Sequence, residues 1–133
     1  MVWIFTATEP KPVETRKHLG QKQRTVNYFI QPVAEAGYTH KYKSVTLEPG
    51  VWHYDAIVNA IISAEYPTDK MQAIINNYLA DPESDDAVEE MLEMQNDRKI
   101  AKRIAKEALA YVESQESVQN SAASDNDTNH KQV

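Results

Sequence analysis

No glycine or proline interrupts the chain between Pro82 and Glu113. Glycine and proline are the residues that end helices, so a stretch of this length without either commits the chain to one long helix. Asp81 reads as its N-cap and Pro82 as its first residue, which predicts a helix over 82–113. Unbroken, its ~32 residues span about 48 Å. A domain of this size has a radius of gyration of only about 13 Å, so a straight helix would overhang it.

The apolar residues of this helix change face along its length. Val88, Met91 and Leu92 lie together, whereas Ile100, Ala101, Ile104, Ala105, Ala108 and Val112 form a second stripe. At about 100° per residue the second stripe is turned by more than about 90° from the first. Either the helix bends near residues 95–99, or its halves face different partners. The charges split at the same place. Residues 81–97 carry eight acids and no base, and residues 98–106 carry Arg98, Lys99, Lys102, Arg103 and Lys106 and no acid. Acids near a helix N-terminus and bases near its C-terminus complement the macrodipole, so the order by itself is weak evidence of function.

Upstream, Val2 to Phe5 has strand character, and Thr25 to Val33 alternates Val26, Tyr28 and Ile30 with Asn27, Phe29 and Gln31. Tyr38 to Leu47 follows after an Ala36-Gly37 turn and predicts an antiparallel partner. Tyr54, Ile57, Val58, Ile61 and Ile62 make an amphipathic helical stripe that ends before Pro67. Thr68 reads as the next N-cap, before a similar stripe of Met71, Ile74, Ile75, Tyr78 and Leu79. The expected fold is therefore α+β: a small antiparallel sheet of two to three strands, an αα-hairpin, and the long C-terminal helix.

The 133 residues allow one domain, over 1–113. Residues 114–133 are almost wholly polar and are expected to form a disordered tail. With no cysteine there is neither a disulfide framework nor a thiolate metal site. The N-terminal MVWIFTATEP has neither the charged start nor the apolar run of a signal peptide, and no stretch is apolar enough to span a membrane. A cytoplasmic location is expected.

Two basic segments are candidate binding surfaces. One is the helical segment Arg98, Lys99, Ile100, Lys102, Arg103, Ile104, Lys106, Ala108 and Val112, whose alanine-rich face suits close packing against a protein partner or a second copy. The other is 11–24, read as a mobile loop with Lys11, Arg16, Lys17, Lys22 and Arg24 able to contact phosphates. It holds no aromatic residue, and single-strand sites usually interleave bases with stacking rings. His53 and Asp55 make only two potential metal ligands, too few for a site, and Trp52 and Tyr54 read as anchors of a strand-to-helix junction. No nucleophile, phosphate-loop or metalloprotease pattern occurs, so no catalytic residue, cofactor or metal is expected.

The stretch Tyr42-Lys43-Ser44-Val45-Thr46-Leu47-Glu48-Pro49-Gly50-Val51-Trp52-His53-Tyr54-Asp55-Ala56-Ile57-Val58, with Glu65-Tyr66 and Lys70 to Leu79, resembles small uncharacterised proteins of gut Bacteroidota and their phages or mobile elements. That resemblance implies a cytoplasmic accessory protein of a bacterium or its mobile DNA, and brings no catalytic residues with it. The functional expectation is a non-enzymatic interaction protein presenting 98–112, with a nucleic-acid-associated accessory protein as the alternative.

Overall fold

The computed structural model describes residues 2–132, with side chains throughout that range except at His18 and 119–132. The order of elements is β1 (Ile4–Thr6), β2 (Val13–His18), β3 (Gln21–Pro32), β4 (His40–Leu47), α1 (Tyr54–Glu65), α2 (Thr68–Ala80) and α3 (Asp85–Gln132). The fold is α+β, and its antiparallel sheet has four strands rather than two or three, in the order β1-β4-β3-β2.

The additional strand comes from the segment expected to be a mobile basic loop. His18 pairs with Gln21 across a two-residue turn. Both turn residues are left-handed, Leu19 at φ 52° and Gly20 at φ 79°. Two positive φ values give the tight turn whose twist matches that of the flanking strands. Glycine adopts this conformation readily, but a leucine there is uncommon, so the hairpin signal was weak in the sequence.

Strict alternation in β3 ends at Tyr28. Phe29 is left-handed (φ 53°), and the pairing passes from Tyr28–Lys43 to Gln31–Lys41. The extra residue is a β-bulge. The expected Val26-Tyr28-Ile30 face is therefore broken after its second member.

One face of the sheet carries the helices. Val13, Val26, Tyr28, Val45 and Leu47 are buried there with Ile57, Val58, Ile61 and Ile62 of α1 and Ala101, Ile104, Ala105, Ala108 and Val112 of α3. The opposite face is polar: Thr25 and Thr46 share a hydroxyl hydrogen bond, and Arg16 donates to Gln23, which donates to Glu48. Two polar links tie the layers together. Tyr28 Oη donates to Glu65 Oε1 at 2.8 Å, and Lys43 Nζ meets Glu65 Oε2 at 2.9 Å. Tyr66, just past α1, donates to Asp97 of α3.

Three expected helix details need correction. The long helix begins at Asp85, capped by Ser84, whose Oγ accepts from Ala87 N at 3.4 Å. Asp81 instead ends α2, and Asp81-Pro82-Glu83-Ser84 closes a turn in which Ser84 N donates to Asp81 O. Pro82 fits that turn because its fixed φ suits the second turn position. Thr68 is the first residue of α2 rather than its N-cap, a position held by Pro67 without a side-chain hydrogen bond. The helix also continues beyond Glu113: Glu116, assigned from sequence to the disordered tail, pairs with Arg24. The rest of that tail, 119–133, lies outside the residues whose side chains are described.

The helix is unbroken through 95–99, and the stripe does not rotate there. The positions turned inward are Ala87, Met91, Met94, Arg98, Ala101, Ala105, Ala108 and Val112, a four-three spacing that keeps one seam along one continuous helix. Val88 and Leu92 misled the sequence reading, since Val88 is only half-buried and Leu92 is 64% exposed. The helix does not overhang up to Val112 either, because its first half packs on α2 through Tyr66, Ile74 and Met94. Two cores thus lie end to end along one helix. Arg98 stands where they meet, its Nη2 near Met71 Sδ at 3.6 Å and its Nε buried without a hydrogen bond among the described residues.

Candidate nucleic-acid interface

The β2–β3 hairpin sets its bases by strand alternation. Register pairs Lys17 with Lys22 and Thr15 with Arg24. These positions share the face of Val13 and Val26, which looks toward α3. Lys17 and Lys22 are like charges in direct cross-strand contact, an arrangement that costs stability unless something anionic offsets it.

A cleft of about 320 Å³ lies between this face and α3. The hairpin contributes Thr15, Arg16, Lys17, Lys22 and Arg24, and the helix contributes Tyr111, Val112, Gln115 and Glu116. Arg24 forms its inner wall. Its side chain is 15% exposed, its guanidinium lies 5.0 Å from the Trp52 ring, and its Nη2 meets Glu116 at 3.3 Å. Its Nε is buried without a hydrogen bond among the described residues. Trp52 therefore anchors the entry to α1, as expected, and does so by stacking on a base from the sheet.

A second cleft of about 230 Å³ follows the same flank of α3, between Ile100, Arg103 and Glu107 on the helix and Pro12, Phe29 and Ile30 on the sheet side. Residues 100, 103, 107, 111 and 115 advance by three or four, so they form one ridge of the helix. Arg103 on this ridge is near Glu107, at 3.7 Å.

Three of the five bases expected in the 11–24 segment, Lys17, Lys22 and Arg24, therefore share the face that looks into this cleft, whereas Arg16 borders it with its guanidinium turned to the opposite face, where its Nε donates to Gln23. Lys11 does not line the cleft. Its side chain is exposed and its carbonyl accepts from the buried Asn27 side chain at 2.8 Å. The residues expected to form a partner helix divide. Ile104, Ala108 and Val112 are buried in the protein's own core, so the apolar face of 98–112 is already covered. Ile100 and Arg98 are half-buried, and Lys99, Lys102, Arg103 and Lys106 are exposed. Among these only Arg103 and Ile100 line a cleft on the ridge. The sequence reading missed Tyr111 and Gln115, which reach the bases from about 90 residues away in the chain. Only the hairpin register, once known, indicates which helix flank faces Lys17 and Lys22.

His53 and Asp55 do not build a metal or catalytic centre. His53 caps α1, its Nδ1 accepting from Ala56 N at 3.2 Å. Glu65 sits at the opposite end of the same helix, about 15 Å away, so the three do not converge. Glu65 acts on Tyr28 instead: burial first, then the hydrogen bond to this carboxylate, holds the Tyr28 phenol protonated well above the ordinary range. Burial and the Asp97 carboxylate do the same to Tyr66. Compared with protein-family models, curated proteins and solved structures, the chain matches none.

Proposed function

We propose that the protein is a non-enzymatic accessory protein that holds the phosphate backbone of nucleic acid in the cleft between the β2–β3 hairpin and α3. The observation that carries this reading is the gathering of Lys17, Lys22 and Arg24 on the face that lines one concave surface with α3. Guanidinium and ammonium groups bind phosphate by charge-assisted hydrogen bonds, and such contacts position a strand without reading its sequence.

The net charge of −6 does not oppose this. The acidic run ends at Asp97, and Tyr111 lies about 21 Å further along α3. That separation exceeds the roughly 8 Å screening length of physiological salt, so a polyanion at the cleft is largely shielded from that run, and the acid that lines the cleft, Glu116, is paired with Arg24. The alternative of a protein partner, or a second copy, on residues 98–112 now rests on the exposed Lys99, Lys102, Arg103 and Lys106. The phosphate reading is preferred because it uses a shaped surface.

Fluorescence anisotropy of a labelled oligonucleotide against a salt series tests the proposal. Three phosphate contacts predict a log–log slope of about −2 for a single strand. The K17E/K22E double variant should lose binding at every salt concentration. Absence of binding at low salt, or equal binding by K17E/K22E, would reject the reading.

A further inference from the structure

Resting on that reading, we propose that the cleft takes single-stranded rather than duplex nucleic acid, with one base stacked on Tyr111 and the adjoining phosphates held by Lys17, Lys22 and Arg24.

Three observations support this. The first is the direction in which the bases point. A β-ribbon that reads duplex DNA inserts into the major groove and presents its side chains outward. Here the face carrying Lys17 and Lys22 looks toward α3 and lines a recess with it, while the opposite face carries the Arg16–Gln23–Glu48 hydrogen bonds. The helix wall bars a duplex from that face, but a single chain can lie along the recess. The second is the presence of a ring. Tyr111 is half-buried and lines the recess beside the bases, the interleaving of charge and aromatic face that single-strand sites use. Trp52 cannot serve, since the Arg24 guanidinium covers it. The third is Gln115, one helical turn beyond Tyr111 on the same ridge. Its amide both donates and accepts, so it can meet the edge of any stacked base without selecting one.

The test measures anisotropy with three probes: an oligo-dT strand, a duplex of the same length, and a sulfated polysaccharide that carries charge but no bases. Wild type, Y111A, Y111F and K17E/K22E are compared, each checked by circular dichroism for its fold. The expected result is that wild type prefers the single strand over the duplex by about ten-fold or more. Y111A should weaken single-strand binding about ten-fold, with the salt slope and the polysaccharide affinity unchanged, and Y111F should retain wild-type binding. Equal or tighter binding of the duplex would overturn the inference, as would Y111A behaving like wild type. Equal loss on all three probes in Y111A would also overturn it, by giving Tyr111 a structural role. If those results came with K17E/K22E still abolishing binding, the phosphate reading would stand without its single-strand refinement. If wild type bound none of the probes, both would fall.

Discussion

The two halves of α3 carry opposite charges and rest on cores of very different size. The basic half lies in the main core, with fourteen buried residues drawn from the sheet, α1 and α3. The acidic half closes a small cluster whose buried members are Tyr66, Ile74 and Met94. One continuous helix thus joins a well-buried region to a thinly buried one. Helical hydrogen bonds are the same in both halves, so the difference in protection has to come from side-chain packing. The cleft between the β2–β3 hairpin and α3 sits on the strong half, where its walls are held in place.

Ile57→Ala gives the largest effect expected from this comparison. Ile57 is fully buried in the main core, and truncation should cost about 3 kcal/mol and lower the single unfolding transition as a whole. Chemical denaturation checks this, and a loss confined to part of the molecule would contradict a continuous main core. Met94→Ala should cost less, about 2 kcal/mol, because the small cluster has fewer neighbours to lose. Its effect should be regional, with faster hydrogen exchange in α2 and the first turns of α3 while the sheet amides keep their protection.

Alkaline pH probes both regions. Tyr28 and Tyr66 are held protonated in the fold above the ordinary phenol range. Between about pH 10, where an unfolded phenol ionises, and the higher folded values, the native state binds more protons than the unfolded one. Stability is therefore complete below about pH 10 and falls as pH rises. Melting temperature against pH should show this decline, shallower in Tyr28→Phe and in Tyr66→Phe. An unchanged slope in both would mean that neither phenol governs it. The smallest effect is expected at the junction. Arg98 sits on the seam with Nε unsatisfied among the described residues, so Arg98→Met should change stability by about 1 kcal/mol or less, in the stabilising direction. A marked destabilisation would show that the guanidinium holds the two cores in register.

The parts of this fold that were legible in the sequence are those where large apolar residues recur at a regular period. The Ile57-Val58-Ile61-Ile62 and Ile74-Ile75 patterns located α1 and α2, and the long interval without breakers located α3. The seam of α3 was misread in its first half, where Val88 and Leu92 supplied the apparent stripe while the buried Ala87 and Met94 were left off it. The β2–β3 hairpin was missed because Leu19 occupies a left-handed turn position that asparagine or glycine usually marks. The bases of the cleft were legible as a charge cluster, but Tyr111 was not, since no local pattern links residues so far apart in the chain.

The hairpin has a further consequence for solubility. β1 and β2 are the two edges of the sheet, and an edge offers unpaired backbone groups to any passing strand. Of the two, β2 is the one rich in charge, with Glu14, Arg16 and Lys17 along six residues, and Lys22 opposite. The side chains assigned here to phosphate therefore also guard the edge against pairing with other copies. Replacing them with neutral residues would remove the proposed affinity and the guard together, and the resulting aggregation would be mistaken for a binding defect. Reversing their sign removes the affinity and leaves the edge charged.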